Sequence, residues 1–205
     1  TETTPTLLIA LACIGVGLFC VWMEIGRPLR ALNVFFHART SWMTREAIIA
    51  GPLFLCGALA LLTGSLLFLW LAALIAMSFL YCQARILQAA RGIPAWREPA
   101  LLALIVVTGL AEGAGLLALV SPMLAGSPGR EFAVPLLVLV VLRYAMSRRY
   151  TRRIAAPGNA PLKTVRALRE TDRQFLLLGH YFPAALLVIG FFVGGSFGTA
   201  LLALA

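Results

Sequence analysis

Charge is what this chain has least of. Only 12% of its 205 residues are charged, 61% are hydrophobic, and the mean hydropathy is +0.93. A water-soluble domain of this size needs far more charge on its surface, so the chain reads as an integral membrane protein. Period-2 alternation is also missing. The apolar runs are continuous, helix-length and rich in Leu and Ala, which excludes a β-barrel. Histidine is limited to His37, in a loop, and His180, in a span, a poor geometry for a bis-histidine haem. Cys13, Cys20, Cys56 and Cys82 lie inside apolar runs without CxxC or iron–sulfur spacing and read as buried packing residues. Neither haem nor an iron–sulfur cluster is expected in this chain, and no metal site. A Gly-rich phosphate loop, a nucleophile elbow and an HExxH pair are all absent. The net charge of +9 would suit nucleic acid, but the basic residues border apolar spans and no soluble basic domain exists. No nucleic-acid partner is therefore expected.

What is there is a run of membrane-length segments. Six spans are visible, at approximately 6–23, 47–62, 66–84, 99–121, 132–148 and 174–194. The fold class is all-α, a polytopic transmembrane helix bundle forming a single integral membrane domain over 1–205. The second and third spans form one apolar block interrupted at Thr63-Gly64-Ser65. As one helix that block would be about 60 Å long, twice a hydrocarbon core of about 30 Å, so it reads as a tight hairpin. Thr1 stands where an initiator Met would, and the apolar tail from Gly194 is too short to count as a span. Additional terminal spans are compatible with both ends.

The little charge present is distributed unevenly. Sixteen of the seventeen Lys and Arg fall in alternate connections, on the side reached after the first span (side A), and Arg130 alone falls on the other. The positive-inside bias makes side A cytoplasmic, in a bacterial inner membrane. Basic loops that dock an acidic partner subunit are the competing cause. Two side A segments carry structure of their own. Residues 27–46 mix Leu29, Leu32, Val34, Phe35 and Phe36 with Arg30, Asn33, His37 and Arg39, a composition suited to an interfacial loop or helix. The basic cytoplasmic loop 149–173 contains a turn at Pro157–Pro161 and then a short polar helix over 164–173.

Ionisable groups near the membrane are costly and mark function. Glu24 ends the first span on side A and Glu46 begins the second, with Arg27 and Arg45 positioned to neutralise them. Trp42 adds an aromatic edge. The third span brings Tyr81, Gln83 and Arg85 to this depth, the fifth Arg143 and Tyr144, the sixth Asp172, His180 and Tyr181. A lipid-soluble quinone needs such a place: donors for two ring oxygens, an ionisable relay for two protons, and an apolar entrance for its tail. Glu46 is the preferred proton relay and Glu24 the second. Arg27, Trp42, Tyr81, Gln83, Arg85 and His180 are the candidate ring or relay contacts. The plainer reading makes these residues interfacial ion pairs and aromatic anchors, Trp42 and Trp96 among them. Glu112 stands apart, roughly 20 Å into the fourth span by helical rise. Gly109, Gly113 and Gly115 flank it, a pattern that permits close helix approach. A carboxyl hydrogen-bonded across a helix interface, a proton path toward the other side and a transported-ion site all remain open for it.

Three motifs carry a family resemblance: Glu24-Ile25-Gly26-Arg27-Pro28-Leu29-Arg30-Ala31, Ser41-Trp42-Met43-Thr44-Arg45-Glu46, and Ile93-Pro94-Ala95-Trp96. With them the chain resembles the membrane-anchor subunits of dimethyl-sulfoxide-reductase-type complexes, within the polysulfide-reductase-like membrane family. The resemblance implies a complex of three subunits. One holds molybdopterin, one carries iron–sulfur clusters and docks on side A, and the anchor exchanges electrons with a quinone (ubiquinone or menaquinone) without binding haem. The family's acidic residue after the Ser-Trp stretch falls on Glu46. Its usual histidine before the Leu-Gly-x-Pro sequence falls on Glu24, a departure that changes the hydrogen bonding and the proton chemistry there. A cytoplasmic side A makes the chain similar to the cytoplasm-facing, sulfite-oxidising branch, with quinone reduction as the expected electron outlet. A related reductase and a phenylacetyl-CoA-oxidising complex are the alternative assemblies. A transporter or a non-redox scaffold is the rival class, the former expected to show inverted repeats and broken helices at the midplane.

Overall fold

The computed structural model describes residues 3–24, 35, 39–124 and 132–193, and these residues are helical almost throughout. The helices are α1 (Thr3–Glu24), α2 (Trp42–Thr63), α3 (Leu66–Ala89), α4 (Pro99–Leu124), α5 (Ala133–Ile154), α6 (Leu162–Leu176) and α7 (Phe182–Val193). The chain divides into two compact units, Thr1–Ile86 and Leu87–Ala205.

In the first unit, Leu53, Ala72 and Phe79 form a buried cluster, with Ile14, Leu18, Ile49 and Ile75 packed around it. Gly57 lets α1 approach α2 closely: a Cβ there would sit 2.7 Å from the Leu11 side chain. The expected hairpin at 63–65 is present. Gly64 adopts φ +65°, the left-handed conformation that glycine tolerates best, and its N–H donates to the Ala60 carbonyl as a helix C-cap. Thr63 Oγ1 donates to the Leu59 carbonyl at 2.6 Å and accepts from the Ser65 N–H at 3.2 Å, closing the turn. At the other end of α2, Ser41 is the N-cap and accepts from the Thr44 N–H at 3.3 Å.

The second unit is built on α4 and α5, which lie side by side and antiparallel. Ala133, Leu136, Val140 and Leu187 form one cluster with Ala114; Ala95, Ala100, Tyr150 and Ile154 form another with Leu104, Val165 and Leu168. The start of α5 therefore meets the far half of α4, and the end of α5 meets its beginning. A 3-10 turn, Pro94–Arg97, leads into α4. The Tyr150 hydroxyl donates to the Ala95 carbonyl at 3.2 Å across that junction. Asn159 Nδ2 donates to the Arg153 carbonyl at 2.8 Å and fastens the turn after α5.

Among the described residues, five helices are long and apolar enough to cross a membrane: Thr4–Glu24, Trp42–Thr63, Leu66–Ala89, Pro99–Val120 and Leu162–Val193. Helix α5, expected as a sixth span, falls short on composition, because Arg143, Arg148 and Arg149 all lie in its first eighteen residues. The polar helix expected at 164–173 is not a separate element. Helix α6 runs through a π turn, Leu177–Tyr181, directly into α7. Pro183 explains that turn: it lacks an N–H and its ring crowds the carbonyl four residues back, at Gly179. The chain relieves the clash by a wider loop in which the Phe182 N–H donates to the Leu177 carbonyl. Gly113 and Gly115, whose spacing permits a close helix approach, face open space. The small residues buried on α4 are Ala100, Ala111 and Ala118. Cys82 is buried, but Cys13 and Cys20 are exposed, on an apolar helix surface where a membrane protein meets lipid.

Tyr150 is the sharpest test of this packing. It lies two turns past Leu142, where the apolar run of α5 ends. Its hydroxyl is buried against the Ala95 carbonyl. Tyr150→Phe should cost about 1 kcal/mol of stability through the lost hydrogen bond, as read by unfolding in detergent. Wild-type stability in the variant would mean that Tyr150 is not held as described.

Candidate functional site

The first turns of α2 and the last turns of α3 supply the densest group of predicted residues. Trp42, at the first position of α2, lies under two guanidinium groups, with Arg45 Cζ at 4.1 Å and Arg85 Cζ at 4.7 Å from its ring centroid. Tyr81 meets it edge-on at 5.9 Å, with 79° between the rings. Helical spacing explains both partners: Arg45 is three residues past Trp42, and Arg85 is four past Tyr81, so each pair shares a face. Cation–π contact lowers the cost of keeping a charge near hydrocarbon. Arg45 Nη2 also donates to the Arg39 carbonyl at 2.9 Å, tying α2 to the segment before it.

Beside these groups opens a cleft of about 520 Å³, lined by Trp42, Arg45, Ile48, Ile49, Met77, Ser78, Tyr81 and Cys82. Its walls are chiefly apolar. The Ser78 hydroxyl donates to its own helix, to the Leu74 carbonyl at 3.2 Å; the Tyr81 hydroxyl, the Trp42 indole N–H and the Arg45 guanidinium are the other polar donors among the lining residues. Glu46 and Gln83 do not line the cleft. They hydrogen-bond to one another, each one residue along from a lining residue.

The other predicted residues are placed as follows. Glu24 is the last residue of α1 and is exposed. Arg27 lies outside the described residues, as do His37 and most of the 27–46 segment, so the bis-histidine geometry falls outside them too. Arg85 stacks on Trp42 and is not a wall of the cleft. Glu112 is exposed on α4. Among the described residues no three His, Cys, Asp or Glu side chains are grouped as a metal ion would require.

His180 belongs to a constellation in the second unit. Its ring is 2% exposed, and Nδ1 lies 3.3 Å from the Phe175 carbonyl. Tyr144 and Phe175 meet the imidazole edge-on at 5.6 and 5.0 Å, and Tyr181 stands 6.1 Å from Tyr144. Arg143 Cζ lies 5.6 Å from the centre of the Phe175 ring. One turn beyond, Arg148 forms a salt bridge with Asp172 at 3.1 Å. The π turn carries His180 into this position. Pro183 four residues after Gly179 was the available sequence signal for it.

Residues 3–150 match the family model described as DMSO reductase anchor subunit (DmsC). The chain belongs to this family. It is thus a membrane-embedded anchor subunit of a DmsC-like oxidoreductase family, and the matched region contains the whole α2–α3 cleft. Among curated proteins the anchor is similar to a sulfite dehydrogenase subunit of Allochromatium vinosum, with 28% identity over 169 aligned residues covering 71% of this chain and 52% of that protein. The chain spans about half the length of this curated relative. No solved structure matches it.

The stacked arrangement around Trp42 makes a quantitative prediction. In a double-mutant cycle on detergent-solubilised anchor, Trp42→Leu and Arg85→Met should be coupled by about 0.5–1 kcal/mol. Additive losses would mean that the indole and the guanidinium do not interact.

Proposed function

We propose that this anchor is the quinone-reactive membrane subunit of a molybdenum/iron–sulfur oxidoreductase, and that it passes electrons from sulfite oxidation to a membrane quinone, ubiquinone or menaquinone. The observation that carries the proposal is the α2–α3 cleft: apolar walls, an aromatic pair, a donor hydroxyl and a stacked guanidinium at one end of two membrane-spanning helices. Similarity to the Allochromatium vinosum sulfite dehydrogenase subunit supports the choice of sulfite.

A quinone bound there supplies two-electron, two-proton chemistry. Trp42 and Tyr81 hold the ring against one wall, and Ile48, Ile49 and Met77 shield it from water. The Tyr81 hydroxyl donates to one ring oxygen. Arg45, fixed on Trp42, places positive charge where negative charge develops. Glu46 moves protons to the cleft from its pair with Gln83, and Glu24 is a second carboxylate at the same membrane face. Electrons arrive from an iron–sulfur subunit docked on side A, with the molybdopterin subunit beyond it.

Helix α5 is read as a sixth crossing. It is about 33 Å long by helical rise, runs antiparallel along membrane-spanning α4, and reaches from the Ala114 level to Ala95. Its arginines then join the other side A charges, which supports a cytoplasmic side A.

Two outcomes test this reading. Glu46→Gln should leave the complex assembled and lower quinone turnover on the order of 100-fold, the usual scale of a lost proton relay; wild-type turnover in the purified complex would sink that role. In a cysteine-replaced background, single cysteines at Arg91 and Arg152 should react with an impermeant thiol reagent only after the cytoplasmic face is opened. Labelling from outside intact cells would reverse the topology.

A further inference from the structure

One face of α5 has no role in quinone chemistry, and its composition changes along its length. Toward the start of the helix it exposes Val134, Val138 and Val141, at 55%, 51% and 56%. Toward the end it becomes an open groove of about 640 Å³ walled by Arg148, Arg149, Arg152 and Arg153, with Tyr144 and Val141 at the upper rim. The spacing 134, 138, 141, 145, 148, 152 keeps these positions on one helical stripe. The opposite stripe, Leu136, Val140, Ser147, Tyr150 and Ile154, is buried. Four guanidinium groups share the groove, and the Asp172 carboxylate on Arg148 offsets only one of them.

We propose that this stripe is a binding site for an anionic phospholipid, with the phosphate held by Arg149, Arg152 and Arg153 and an acyl chain lying along Val141, Val138 and Val134. Charge complementarity selects the headgroup, because arginine forks match phosphate oxygens and the site holds excess positive charge. The continuous apolar stripe selects a lipid over an acidic protein surface. A docked protein would use the arginines from the water side, whereas a molecule joining an anion to hydrocarbon uses both halves. The distance from Arg148 to Val134, about 21 Å by helical rise, matches the length of an extended acyl chain. Arg148, held by Asp172, orients the rim. The inference rests on α5 lying in the bilayer and is independent of the quinone reading.

The test uses the full chain in nanodiscs of phosphatidylcholine and in nanodiscs carrying added phosphatidylglycerol, with retained lipid counted by native mass spectrometry. The wild type should retain phosphatidylglycerol in preference to phosphatidylcholine. The combined variant Arg149→Gln, Arg152→Gln, Arg153→Gln should lose that preference by about tenfold or more, with helicity unchanged by circular dichroism. A variant removing the same charge from α6, Lys163→Gln, Arg166→Gln, Arg169→Gln, should stay within about threefold of wild type. Glycerol phosphate without acyl chains should not compete. Equal loss in both variants, or no preference in the wild type, would overturn the site. So would an α5 variant that keeps its lipid preference, including one that instead fails to hold a partner subunit. Val138→Cys separates the failures. Reaction with a water-soluble thiol reagent would remove α5 from the bilayer and the site with it, whereas protection with unchanged lipid binding would overturn the site alone.

Discussion

The cost of holding a guanidinium beside hydrocarbon governs most of what is distinctive in this chain. An arginine there needs an aromatic face, a carboxylate or a route to the lipid headgroups, and each solution recruits different neighbours. Arg45 and Arg85 converge on Trp42, which pins the start of α2 and the end of α3 to a common aromatic plate. Arg143 takes the Phe175 ring, and Arg148 takes Asp172, so two charged side chains of α5 hold the end of α6, just ahead of the π turn. The cleft exists because the first solution leaves Ile48 and Met77 exposed, and Ile49 half-buried, beside a fixed aromatic pair. Charge placement therefore shapes the site as well as the topology.

Span positions were legible because hydrocarbon imposes one requirement on every residue in turn: about twenty apolar positions in a row. The Gly64 hairpin was legible for the same reason, since a helix twice the membrane thickness has nowhere to go. Helix α5 shows the limit of that logic. Its apolar run ends at Leu142, so the span read at 132–148 takes in Arg143 and Arg148, and its place beside α4 depends on alanines and on the Tyr150 hydroxyl reaching Ala95. Tertiary partners of that kind leave no periodic trace. The glycines around Glu112 mark the converse limit, because small residues permit a close approach without requiring one, and Ala111 and Ala118, on either side of Gly113 and Gly115, are buried while those glycines face open space.

Site residues were legible as types and depths but not as roles. Trp42, Tyr81 and Arg85 do come together, since helical spacing from the ends of two hairpin helices constrains them. Arg45 stacks on an indole and lines the cleft, a role that its place beside Glu46 does not announce. His180 required knowledge of the π turn: without the extra residue per turn forced by Pro183, its direction cannot be projected from 3.6-residue periodicity. The rival transporter reading expects helices broken at the membrane midplane. Among the described residues the departure from α-geometry is a π turn that keeps the helix continuous, and it serves a buried imidazole.

The position of Glu46 bears on what kind of proton chemistry the cleft supports. A carboxylate on the wall would compete with the ring for the Tyr81 and Arg45 donors, and its charge would weaken the positive field that Arg45 provides. One residue back, paired with Gln83, it can exchange protons without entering that competition. The amide has no charge to trap a proton and steadies the carboxylate as a donor. Glu24, where the family resemblance places a histidine, is exposed at the end of α1. In the proposed reading, a carboxylate set one residue back from an apolar cleft is the arrangement expected of a site that must admit protons while excluding bulk water from the ring.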